Sequence, residues 1–213
     1  MTDLAVTVLD VAAARFAAAP ELTARLRVDE SSGSQVHAIA LRCQVRIEPQ
    51  RRSYDDGEAE RLGDQFGTKD RWATTLKPFV WLHCNTLVQG FTDSTEVDLP
   101  MPVTFDFEVT ASRYLHALRD GEIPLVFLFS GTVFTRGLNG FGVEQVPWSL
   151  EATCRMPVAV WRDTMHLFFP GTGWMRLHRD TLAELASYKA AHGLTTWDSV
   201  VDSLLSHTGE VVP

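Results

Sequence analysis

From Glu21 to Asp29 the chain alternates without a break. Leu22, Ala24, Leu26 and Val28 fall on one side, and Thr23, Arg25, Arg27 and Asp29 on the other. A period of two predicts a strand with one face on a core. Ser31–Ser34, SSGS, then reads as a turn. Val36–Glu48 repeats the alternation, with Ile39, Leu41, Cys43, Val45 and Ile47 opposite Arg42, Gln44, Arg46 and Glu48. Pro49 ends that strand because it has no N–H for a ladder. Leu4–Leu9 predicts a further strand, and Val11–Ala19 is compatible with a helix.

The rhythm breaks between Ser53 and Lys77. Asp55–Phe66 is acidic at its start and stops before Gly67, the order of a short capped helix. Asp70 is placed to cap a second short helix that stops near Pro78. Phe79–Val88 resumes the strands. Thr95–Leu99 runs through a Pro-Met-Pro break into Val103–Thr110, where Phe105, Phe107 and Val109 oppose Asp106 and Glu108. Ala111–Arg119 predicts a helix closed by Asp120-Gly121. Ile123–Thr135 is apolar through Leu125–Phe129, as in a strand covered on both faces. An Asn-Gly reversal within Leu138–Phe141 precedes strands at Val143–Val146 and Leu150–Val158.

From Trp161 the period becomes helical. Helices are predicted at Trp161–Phe169, at Asp180–His192 with Gly193 as its stop, and at Trp197–Ser206 capped by Thr196. The elements add up to a mainly β (α+β) chain. The expected architecture is an immunoglobulin-like β-sandwich of about seven to nine strands with a C-terminal helical segment. The division expected is 1–160 for the sandwich, with short helical insertions, and 161–213 for helices packed on it.

Composition narrows the function. Of 213 residues, 45% are apolar and 22% charged, ordinary for a folded protein. A net charge of −8 counts against a broad nucleic-acid or anionic-lipid surface. No apolar run reaches the roughly 18 residues of a membrane span, and Met1–Asp3 does not open a secretory signal. Three widely spaced cysteines without a CxxC pair indicate neither a disulfide framework nor a zinc ribbon. A cytoplasmic location follows as the expectation.

Candidate chemistry is sparse. Cys43, Cys84 and Cys154 share faces with apolar neighbours and read as small core residues. A metal site from Cys84, His83 and His37 fails because adjacent strand residues point to opposite faces. His178-Arg179-Asp180 has the letters of a kinase catalytic loop, but Leu185 stands where its asparagine belongs. Asp106 and Glu108 read as a solvated face with Arg42–Arg46 opposite. No catalytic residue, metal ligand or cofactor is assigned. A partner-binding surface is expected instead at Arg46, Arg51 and Arg52 together with Trp72, Trp81 and Trp148, since arginine and tryptophan dominate contact hot spots. For the arginines taken alone, pairing with Asp55, Asp56, Glu58 and Glu60 is the preferred reading over capture of an acidic partner. The stretch 174–205 also follows a ribbon-helix-helix pattern. On that alternative Trp174, Arg176 and His178 would face DNA, and two copies would pair as a homodimer.

Six blocks carry a resemblance: Arg46–Arg52, Phe91–Pro100, Tyr114–Leu118, Phe127–Phe134, Glu144–Trp148 and the Tyr188-Lys189…Trp197 tail. Together they resemble an uncharacterised actinobacterial family of unknown function, often encoded beside uptake [NiFe]-hydrogenase genes. The resemblance implies a non-enzymatic accessory protein in hydrogenase assembly or maturation, whose partner is a hydrogenase subunit or maturation factor. It brings no site residues with it.

Overall fold

The computed structural model describes residues 2–106, 109–137, 140–173 and 175–207. Its contacts divide the chain into two compact units, 1–174 and 175–213. The division falls after Trp174, not at residue 160, because helix α5 (Val158–Phe168) packs on strands of the first unit.

The first unit is built on eight strands in two antiparallel sheets. One sheet has the order β1 (Leu4–Ala13), β2 (Glu21–Glu30), β5 (Ser94–Pro102). The other runs β4 (Phe79–Phe91), β3 (Val36–Ile47), β6 (Glu122–Gly137), with β7 (Gly140–Gln145) and β8 (Glu151–Pro157) dividing the far edge of β6 between them. The alternation read from the sequence is what fills the core. Leu22, Ala24, Leu26 and Val28 of β2, and Ile39, Leu41, Cys43, Val45 and Ile47 of β3, are all buried in one apolar cluster. This is the immunoglobulin-like β-sandwich expected, mostly β with a few helices.

Several predicted elements change. Asp55–Phe66 divides into two short helices at Leu62, and Asp70 lies inside the 3-10 turn Lys69–Arg71 instead of capping the helix after it. Val11–Ala13 completes β1 instead of starting a helix. The Pro-Met-Pro segment is not a break. Pro100 and Pro102 lie within β5, on the edge of the three-stranded sheet where a missing N–H is tolerated. Val103–Asp106 is not a strand: the β2–β5 register ends at the Glu21–Pro102 pair, and past it the Val103 N–H reaches the Pro20 carbonyl at 3.1 Å without continuing a ladder. The proposed meeting of Asp106 with Arg42–Arg46 therefore falls away: β3 is flanked by β4 and β6. Glu108, like Leu138 and Asn139 of the predicted reversal, lies outside the described residues.

The SSGS turn is organised by the buried carboxylate of Glu30. It accepts hydrogen bonds from the backbone N–H groups of Asp3 (3.0 Å), Ser32 (3.0 Å) and Ser34 (2.9 Å), and from the Ser32 hydroxyl. Gly131 marks a close approach. At φ +139°, a Cβ there would sit 2.0 Å from the Ala40 carbonyl oxygen across the β3–β6 ladder.

The second unit holds α6 (Arg179–Ala191) and α7 (Trp197–His207). Tyr188 and Ser203 hydroxyls meet at 2.8 Å, and Lys189 Nζ lies 5.4 Å from the centre of the Trp197 ring. Thr196 caps α7, its hydroxyl accepting from the Ser199 N–H at 3.1 Å.

Candidate functional site

Two helical insertions close one end of the sandwich. The first spans the β3–β4 connection and contains α1 (Asp56–Arg61), α2 (Gly63–Phe66) and α3 (Trp72–Thr75). The second is α4 (Thr110–Ala117), between β5 and β6. Local sequence explains the start of the first. Pro49 stops β3, and the Asp55 carboxylate accepts from the Glu58 N–H at 2.6 Å, so α1 begins with a capped acidic turn.

That cap turns Glu58 inward onto Arg52. Arg52 Nη2 lies 3.0 and 2.9 Å from the two Glu58 carboxylate oxygens and also donates to the Asp120 carbonyl at 3.1 Å. The Arg119 N–H completes the ring by donating to Glu58 at 2.8 Å. The pair is shielded, with side-chain exposures of 8% and 3%. One ion pair thus ties the loop after β3, the first turn of α1 and the α4–β6 loop together. Arg61 adds a bond from Nε to the Ala117 carbonyl at the end of α4, 2.9 Å.

Beneath the ion pair lies an aromatic cluster. The Arg52 guanidinium stands 4.8 Å from the centre of the Tyr54 ring. Tyr54 OH donates to the Pro49 carbonyl at 2.7 Å, so its 2.8 Å contact with Tyr114 OH must have Tyr114 as donor. Trp72, Phe79 and Phe66 surround the two phenols edge-on. Burial, first, then the neighbouring phenol, pushes Tyr54 well above the usual tyrosine range; burial pushes Tyr114 up to about 12. Neither is a phenolate at neutral pH, and Arg52 and Glu58 are turned on each other. This arrangement is a clasp that fixes the helical cap to the strand ends.

The residues singled out from the sequence do not converge. Arg52 is consumed by Glu58, Arg51 is ion-paired with Glu48, and Arg46 is half-buried one residue before the end of β3. Trp72 and Trp81, expected at the surface, are each only 8% exposed. Trp72 faces Tyr54, and its indole donates to the Gly67 carbonyl at 2.9 Å. Trp81 is turned inward by a bulge in β4, where Val80 opposes Arg46 and Leu82 opposes Val45, leaving Trp81 as the extra residue. It meets Trp161 edge-on at 6.3 Å. Trp148, by contrast, is 95% exposed in the turn between β7 and β8. In the second unit, Arg176 and His178 are exposed and precede α6 without forming a strand, while Trp174 lies outside the described residues.

No group of three or more His, Cys, Asp or Glu side chains suited to a metal ion occurs among the described residues. No helix among them is long and apolar enough to cross a membrane. What the sequence left unread is pairing. Tyr54 with Tyr114, and Cys43 with Cys84, depend on loop packing and strand register, which no spacing reveals.

Among solved structures the chain is similar to the CARDB domain of a Pyrococcus furiosus protein, at 11% identity over 73% of this chain and 86% of that one, with a TM-score of 0.27. It is also similar to β-glucosidase 3B of Thermotoga neapolitana, at 12% identity over 72% of this chain and 17% of that one, with a TM-score of 0.27. A Kluyveromyces marxianus β-glucosidase matches at 9% identity, covering 73% and 15%, with a TM-score of 0.25. Likenesses this faint carry nothing about activity. No curated protein matches the chain. The model of DUF6084, a family of unknown function, matches residues 1–213, and the chain belongs to that family.

Proposed function

We propose that this protein is a non-enzymatic binding module, an accessory factor for assembly or maturation of a [NiFe]-hydrogenase, that meets its partner through the β7–β8 edge. The observation that carries the contact surface is Trp148, held out of the core at 95% exposure. A large aromatic in water is a contact residue in waiting, because burying it on a partner removes more apolar area than any other side chain would. Val143, 63% exposed on β7, lies on the edge strand that leads into this turn. Edge strands offer unpaired backbone groups to a partner. The hydrogenase context is supported by the family resemblance of the sequence blocks.

The test is capture from the native host with the tagged full chain and with Trp148→Ala, followed by mass spectrometry. The expected result is a hydrogenase subunit or maturation factor with the natural chain, reduced at least about tenfold with the variant, as for a hot-spot residue. Recovering neither class of partner overturns the hydrogenase reading. Equal recovery by the variant overturns the assigned surface.

A further inference from the structure

Cys43 and Cys84 are direct partners in the antiparallel β3–β4 ladder, Cα opposite Cα. Both are free thiols with their side chains in the core, at 2% and 7% exposure. Directly opposed residues on one face of an antiparallel pair bring their Cβ atoms to about 4.5–5.5 Å, close to the spacing a disulfide spans. We propose that Cys43 and Cys84 form a reversible redox site, oxidised by hydrogen peroxide to a disulfide that staples β4 to β3.

The geometry assigns the order of events. β4 ends its sheet, so fraying of this strand exposes Cys84 before Cys43, which lies on the inner strand β3. The neighbouring Cys43 thiol draws the Cys84 pKa down, while the Cys84 thiol and burial push Cys43 up. Cys84 is therefore the nucleophile. Its thiolate attacks one peroxide oxygen, the O–O bond breaks, and a sulfenic acid and one water form. The Cys43 sulfur then attacks the Cys84 sulfur and displaces the hydroxyl, which leaves as a second water with the Cys43 proton. Two thiols lose two electrons in all, and one peroxide becomes two waters. A dithiol reductant reverses the step.

The bridge would close a loop that contains the whole helical insertion of Pro49–Thr75. Closing so long a segment restricts the unfolded chain, so the unfolding midpoint is expected to rise by about 5–10 °C. Cys154, half-buried on β8, serves as an internal control.

The experiment treats the full chain with hydrogen peroxide, alkylates remaining thiols and maps peptides by mass spectrometry, with thermal unfolding run in parallel. Expected are a Cys43–Cys84 linked peptide, loss of two hydrogens in the intact mass, a raised midpoint, and reversal of all three by dithiothreitol. In Cys43→Ser a sulfenic acid should accumulate at Cys84, trapped by dimedone. If Cys43 and Cys84 both remain alkylatable while Cys154 is oxidised, or if the link forms through Cys154, the proposal falls. The natural chain alone decides this, so a variant that folds poorly does not rescue it.

Discussion

Arg52 and Glu58 form a two-pronged ion pair almost out of water, Nη2 lying 3.0 and 2.9 Å from the carboxylate oxygens. A shielded pair of this kind adds little beyond the cost of removing its charges from water, yet losing one partner strands the other. Glu58→Ala is therefore expected to cost about 3–5 kcal/mol. Replacing both, as Arg52→Met with Glu58→Leu, should recover part of that loss. Urea unfolding of the single and double variants measures both. A single variant within about 0.5 kcal/mol of the natural chain would show that the pair does not hold the cap.

Trp148 and Trp161 should behave oppositely. Trp161 is 1% exposed on α5, packed edge-on against Trp81 and His116. Trp161→Ala leaves a large cavity and should cost about 3–5 kcal/mol. Trp148→Ala removes a side chain that touches almost nothing and should stay within about 0.5 kcal/mol. A Trp148→Ala variant that unfolds early would deny that residue to the partner surface proposed for it.

That contrast shows what the residues reveal unaided. Period two located β2 and β3 with their buried faces, and Asp55 with Gly67 bracketed the stretch that holds α1 and α2, because both signals are local. Trp81 was misplaced because one bulge resets the faces of β4, and the bulge comes from pairing with Arg46 and Val45, which is not local. Val103–Thr110 alternates as well as any true strand, but β2 has already begun at Glu21 and offers no ladder. That Arg52 pairs with one of the neighbouring acids was legible, and Glu58 is that acid. The loop contacts from Arg119 and Asp120 that select Glu58 were not in view.

Gly131 and Gly63 separate a required glycine from a dispensable one. At Gly131 an added methyl group would overlap the Ala40 carbonyl, and φ is already in the left-handed half of the map. Gly131→Ala should cost more than about 2 kcal/mol, since both the backbone and the β3–β6 ladder must shift. Gly63 opens α2, and a Cβ there meets nothing within 4 Å. Gly63→Ala should be neutral or stabilise by up to about 1 kcal/mol, by narrowing the unfolded ensemble. Thermal unfolding of the two variants side by side checks this. Equal midpoints would mean that β6 does not approach Ala40 as closely as described.

The Tyr54–Tyr114 pair makes alkaline stability a probe of the cap. Burial keeps both phenols protonated in the folded state, Tyr114 to about 12 and Tyr54, raised further by the neighbouring Tyr114, beyond the usual range. The unfolded chain ionises them near pH 10. Above that pH the unfolded state holds fewer protons, so the equilibrium moves toward it. Their contribution is complete below about pH 10 and is lost as pH climbs toward about 12. Urea midpoints taken from about pH 8 to about pH 11 should fall steeply over the last part of that range. In Tyr54→Phe with Tyr114→Phe the fall should be shallower, although the variant starts from lower stability because the Pro49 carbonyl loses its donor. Phenolate absorbance gives the complementary reading. If both phenols ionise near pH 10 while the fold is intact, they are in contact with water, and the cap does not seal that end of the sandwich.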